Sequence, residues 1–281
     1  MKKLCLIVFI LSSLALGQYG YGVVPGAVVE ETENGAINYT QGIITATGIG
    51  SIPEYAVNAG QARAMAIRAA KVDARRQLVE MVNGITLTSE TTMRNRMADE
   101  VVKEKVAGVI RGAYQVGETK YLSDTSVEVA MAVSMSGISE IVIPATTTVT
   151  PPSLLPQPEG VTAQPAQTGP YTGIIIEAKG LGVRPAMAPK IVSQNGTVVY
   201  GPGNYTREYA IQFGVAGYSK SLETAAEDMR VKGNPLVIKA VSVQGTNMAD
   251  LVVSGQDGWQ MQSAEQKYSV LKDCRVLILL D

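Results

Sequence analysis

From Val127 to Met135 the chain alternates apolar and small or polar residues. Val127, Val129, Met131, Val133 and Met135 take one side; Glu128, Ala130, Ala132 and Ser134 take the other. A period of two predicts a half-buried antiparallel strand. Over residues 58–84 the period changes to that of a helix. Ile67, Ala70, Ala74, Leu78 and Met81 recur on one face, and Arg68, Lys71 and Arg75 on another. Asn83-Gly84 supplies a C-terminal stop. Most of the apolar face is small, so this helix can lie close to a sheet where leucine would hold it away. Ser51-Ile-Pro-Glu54 has a capping-box pattern, but Gly60 weakens the first turn and moves the expected start towards itself.

The remaining pattern predicts a strand over 43–50 that ends in a glycine turn, strands over 85–92 and 112–120, and a shorter helix carrying Met97, Val101, Val102 and Val106. The second half reads as a strand over 173–178 and a hairpin over 190–200, with Asn195-Gly196 at its turn. A helix over 222–229 and strands over 236–243 and 250–254 follow. Residues 260–273 are partly helical, and a last apolar strand covers 276–280. Between the halves, residues 144–170 hold seven of the 13 prolines, the cluster Thr146–Thr148 and one charge, Glu159. Such a segment is a stiff, extended linker between bodies that move relative to each other.

The expected class is α+β. Two small α/β domains, 35–143 and 171–281, each form a mainly antiparallel sheet with helices packed on one face. A signal peptide (1–17) and a flexible N-terminal extension (18–34) precede them.

Composition narrows the picture. Hydrophobic residues make up 46% of the 281 and aromatics 5%, so the core rests on aliphatic residues and methionine. Lys2 and Lys3, the apolar run over 4–16 and Ala15-Leu16-Gly17 form a secretory signal, a retained N-terminal anchor being the alternative. Its removal leaves 22 positive and 25 negative charges, a net of −3, which argues against nucleic acid as a partner. It also removes Cys5. Cys274 is then alone, unable to form an intramolecular disulfide, and reads as a buried inert thiol. The chain has no histidine. Ser-His-Asp and Cys-His nucleophile systems and the common zinc sites are thereby excluded.

Few residues offer chemistry. Gly180-Leu-Gly182 follows a strand, but Pro185, Pro189 and the next hairpin deny it the helix a phosphate loop needs. Asp250 and Asp257 suit turn or cap roles better than a cation site. Asn38, Asn195 and Asn204 open glycosylation-like triplets that read as chance. Arg68, Lys71 and Arg75, with Arg63 and Arg76 beside them, are a candidate docking surface, weighed against an ordinary solvated face. Trp259, the only tryptophan, reads as a loop aromatic that either anchors an interface or plugs the edge of the second core. No catalytic, cofactor or metal residue is assigned.

The helix with Ala-x-x-Ala-Ala-x-x-Asp-Ala-Arg-Arg-x-Leu, Gly84-Ile-Thr-Leu after it, Gly108-Val-Ile-Arg-Gly and Ser126-Val-Glu-Val-Ala-Met-Ala-Val together resemble the twenty-kilodalton outer-membrane lipoprotein family over residues 38–143. That family includes FlgP of flagellar basal disks, and its fold is similar to the N-terminal domain of FlgT. The second half looks like a tail found on some longer members. The chain departs from the lipoprotein members in lacking a lipidated cysteine. The resemblance implies a structural role in the envelope, such as a flagellum-associated ring or disk.

The expected function is therefore a non-enzymatic, exported assembly protein of the periplasm or cell surface. It would bind itself and other envelope proteins, with peripheral contact to outer membrane or peptidoglycan. The valine pairs Val23-Val24 and Val28-Val29 are candidate strands for a neighbouring copy. The alternative is a periplasmic ligand- or glycan-binding module.

Overall fold

The computed structural model describes residues 24–144, 155 and 170–281. The signal segment and nearly all of the linker lie outside them. The described residues form seven helices and two sheets, an α+β fold. No helix among them is long and apolar enough to cross a membrane.

The first sheet has five antiparallel strands in the order β1-β2-β3-β5-β4. They are β1 (Val29–Thr32), β2 (Gly35–Asn38), β3 (Ile43–Gly50), β4 (Tyr114–Tyr121) and β5 (Val127–Ser134). The alternating run is the central β5, paired along its whole length with β3 from Ile43↔Ser134 to Gly50↔Val127. Strand β1 falls in the expected flexible extension. There Glu33 and Asn34 turn the chain so that Val29–Thr32 pairs with β2. Val28 is tied down too: its N–H donates to Thr40 Oγ1 and its carbonyl accepts from Tyr39 N–H. The pair Val28-Val29 thus serves the chain's own sheet, while Val23 lies outside the described residues.

The long helix α1 (Ala59–Gly84) is capped by Asn58, whose side chain accepts from Gln61 N–H. The Ser51–Glu54 box caps nothing, because residues 51–57 stay irregular and the helix begins only after Asn58. Gln61 completes the cap from the other side: its Oε1 accepts from Val57 N–H. Asn58 and Gln61 therefore make a variant of the box, in which Gln61 reaches past the cap to the N–H of the residue before it. Ala62, Ala66, Ala70, Ala74, Leu78 and Met81 face the sheet. The approach is close: a Cβ on Gly48 would overlap the backbone of Ala70 and Ala74, and one on Gly50 would overlap Ala66 and Ala70. Glycine on the strand and alanine on the helix remove the spacers that normally hold these elements apart. Short α2 (Met93–Arg96) and α3 (Glu100–Arg111) follow, the latter capped by Asp99 and burying Val102, Val106 and Ile110. Met135 ends no strand. Ser134 caps α4 (Met135–Val142) and turns the chain there.

The second sheet corrects the expected topology. Its seven strands run in the order β8-β7-β11-β10-β6-β12-β9. They are β6 (Ile174–Glu177), β7 (Ile191–Ser193), β8 (Val198–Tyr200), β9 (Gly217–Ser219), β10 (Leu236–Gln244), β11 (Asp250–Val253) and β12 (Val276–Leu279). Only β7/β8 and β10/β11 are antiparallel; β11/β7, β10/β6, β12/β6 and β12/β9 are parallel. The sheet is thus mixed and mainly parallel. Helices cover both of its faces. Ile175, Leu277 and Leu279 meet Ala225 of α6 (Leu222–Glu227) on one side, while Ile174, Ile176 and Ile278 join the main core, with Met261 and Ala264 of α7 (Gly255–Tyr268), on the other. Burial on both faces explains the apolar runs Ile174–Ile176 of β6 and Val276–Leu279 of β12. The remaining helix is α5 (Arg207–Phe213).

The two sheets share one apolar core. Leu155, the one described residue between the linker's two ends, is buried beside Gly258, and its N–H donates to Gln262 Oε1 at 2.7 Å. In place of two bodies held apart, the structure shows a docked pair.

Candidate binding site at the seam between the sheets

Residues 85–92 build much of the seam. Ile85, Leu87 and Ser89 are buried and alternate with less buried neighbours, as a strand would have them. They nevertheless form no ladder in the first sheet, apart from one bridge, Thr86↔Thr92. Leu87 and Thr88 N–H close a local turn on Thr91 O, while the carbonyls of Thr86, Leu87 and Ser89 take their partners from the other half. Met187 N–H donates to Thr86 O at 3.0 Å, Ala188 N–H to Leu87 O at 2.8 Å and Asn247 N–H to Ser89 O at 2.8 Å. Ser89 Oγ donates to Asp250 Oδ2 at 2.5 Å, and Asp250 Oδ1 accepts from Lys190 N–H at 2.9 Å. Further along, Thr40 Oγ1 donates to Tyr218 O at 2.7 Å, and Arg207 donates to the carbonyls of Glu140 and Ile143.

Two cavities flank Met187 and Ser139, which line both. The larger, about 440 Å³, draws Leu87, Thr91, Arg96 and Ile143 from the first half and Ala188 and Tyr205 from the second. Arg96 is the single charged residue in its lining, and Arg96 has no ion-pair partner among the described residues. Tyr205 is buried edge-on to Tyr200, and burial pushes its phenol up to about 12. It stays a neutral hydrogen-bond donor across the physiological range. The smaller cavity, about 160 Å³, is polar and includes Tyr39, Thr40, Gln41 and Arg230. Arg230 is already committed, donating to the carbonyls of Gly214, Cys274 and Phe213.

The residues singled out from the sequence do not come together here. Arg68 is exposed and Lys71 and Arg75 are half-buried along one side of α1. Arg75 Nε is buried without a hydrogen-bond partner. Arg76 pairs instead with Asp73 and Glu80 at 2.9 and 2.8 Å. Trp259 is not a loop residue: it lies in the first turns of α7, half-buried against the core. Ser254, accepting from Asp257 N–H, starts the helix before it, and this accounts for Asp257 as a cap residue. Asp250 is neither turn nor cap but the buried acceptor of the seam. The seam itself escaped sequence reasoning, since its residues are 161 positions apart in the Ser89–Asp250 pair.

Cys274 is fully buried, and burial pushes its thiol up to about 11. The native chain is expected to resist alkylation by iodoacetamide at neutral pH and to react fully in concentrated urea. Rapid labelling of the folded chain, followed by mass spectrometry, would contradict this placement.

Residues 173–281 match the family model described as the second domain of Treponema pallidum Tp0624. No curated protein matches the chain.

Proposed function

We propose that this chain is a non-enzymatic, exported protein of the cell envelope that works by assembling with copies of itself. The N-terminal export pattern and the resemblance to the twenty-kilodalton lipoprotein family support the location. One observation carries the assembly reading. Helix α1 covers one face of the first sheet, while among the described residues no helix packs across the other. On that helix-free face β3 carries Ile43, Thr45, Thr47 and Ile49, with Ala130 and Ala132 of β5 beside them; Thr45 and Ala132 are themselves buried, and the exposed part lies towards Ile49. Ile49 is 53% exposed. A sheet face meant for water carries charged side chains in alternation; the centre of this one carries none, and near one end Lys120 and Glu128 are paired at 2.8 Å. Such a face suits another sheet packed at about 10 Å. A flagellum-associated ring or disk is one assembly of this kind.

The mature chain is expected to self-associate at micromolar concentration in sedimentation velocity. Replacing Thr47 and Ile49 by lysine should weaken that association by about a hundredfold or more, because burying an unpaired charge costs several kcal/mol. A mature chain that stays monomeric at every concentration would remove the reading.

A further inference from the structure

We propose that the larger seam cavity is a binding site for a single-chain anionic amphiphile, a fatty-acid-like molecule whose tail fills the cavity and whose carboxylate meets Arg96. Three observations lead there. The volume, about 440 Å³, lies in the range of sites that enclose a small ligand. The wall is mostly apolar, with Leu87, Val142, Ile143, Met187 and Ala188 around it. An apolar body therefore suits it better than a glycan, which needs hydrogen-bonding groups on every side. The charge is one-sided: Arg96 lines the cavity, no acidic residue does, and no described carboxylate neutralises it.

The flexible thioether of Met187 forms the partition towards the smaller polar cavity, and it can re-pack around tails of different length. The Tyr205 hydroxyl makes no hydrogen bond to the described residues and is a donor for a ligand oxygen. Because both halves supply the wall, a bound molecule also ties the two sheets together. The site is separate from the open face of the first sheet, so its fate does not depend on the assembly reading.

The test is calorimetric titration of the purified full chain with laurate, dodecanol and dodecyltrimethylammonium, each below its micelle-forming concentration. Laurate should bind saturably at one per chain, and dodecanol about tenfold or more weakly, since a charge-assisted contact is missing. The cationic amphiphile should not bind. Arg96→Gln, an exposed change that spares the core, should bring laurate down to the affinity of dodecanol and leave dodecanol unaltered. Ala188→Leu, checked for folding by circular dichroism, should abolish both by filling the cavity. Absence of saturable laurate binding overturns the proposal. So does binding that neither substitution alters, because the molecule then sits elsewhere. Equal affinity for laurate and dodecanol removes the anion from it.

Discussion

A Gly48→Val chain is expected to lose its cooperative unfolding transition, and Gly48→Ala to lose about 3 kcal/mol of stability. Gly48 faces Val129 across the β3/β5 ladder and points at α1. A Cβ there would lie 2.7 Å from Ala74 Cα and closer still to the Ala74 nitrogen and the Ala70 carbonyl. These are backbone atoms inside a helix, so no side chain can rotate out of the way. The helix must move off the sheet as a body, and the contacts of Ala66, Ala70 and Ala74, all fully buried, go with it. A domain whose net stability is about 5–15 kcal/mol cannot absorb that for a branched side chain. Gly84 provides the control. A Cβ on it would meet nothing within 4 Å, so Gly84→Ala should stay within about 1 kcal/mol of the parent, with the helix propensity in its favour. Urea titration followed by circular dichroism reads all three. An unchanged midpoint for Gly48→Ala would mean that α1 does not sit where the structure has it.

The helix side of that close contact was legible in the sequence, because alanine at 70 and 74 is a local fact about side-chain size. The strand side was not. Gly48 and Gly50 read as a turn by composition, yet they lie inside β3, where their missing side chains make room for the helix. The alternation of β5 is again a local pattern and was legible for that reason. What could not be read were features whose partners lie far along the chain. Residues 85–92 have the alternation of a strand and bury alternate residues accordingly, yet three of their carbonyls accept from Met187, Ala188 and Asn247, far along the chain, and none joins a sheet ladder. Periodicity gives the burial of a segment; it does not name what buries it. The second sheet failed as a prediction in another way. Runs such as Val276–Leu279 show that both faces are covered, but the Asn195-Gly196 turn is a local signal for the β7/β8 hairpin alone and carries no information on the parallel pairs beside it. Strand β9 and helix α5 were missed because Gly217–Ser219 and Arg207–Phe213 are too short to show a period. The seam cavity needs both halves in place, so neither half's pattern announces it.

Asp250→Ala should cost about 3 kcal/mol and loosen the seam ahead of the rest of the fold. Asp250 is 3% exposed, and its carboxylate holds three groups: Ser89 Oγ at 2.5 Å, Lys190 N–H at 2.9 Å and, more loosely, Lys190 Nζ at 3.9 Å. Ser89 belongs to the 85–92 loop and Lys190 leads into β7, so one side chain joins the two halves. Alanine leaves the buried Ser89 hydroxyl and the part-buried Lys190 N–H without that acceptor, which is the costly case for a hydrogen bond. Ser89→Ala should cost less, since Asp250 keeps its contacts with Lys190. The double variant should lose less than the sum of the two, giving a coupling of about 0.5–3 kcal/mol. Hydrogen exchange locates the effect. In Asp250→Ala the amides of Met187, Ala188 and Asn247 should exchange faster, while those of α1 stay protected, because the α1 ladder does not pass through the seam. Additive losses, or exchange that rises equally in α1, would show that Asp250 stabilises the whole fold and is not the latch between its halves.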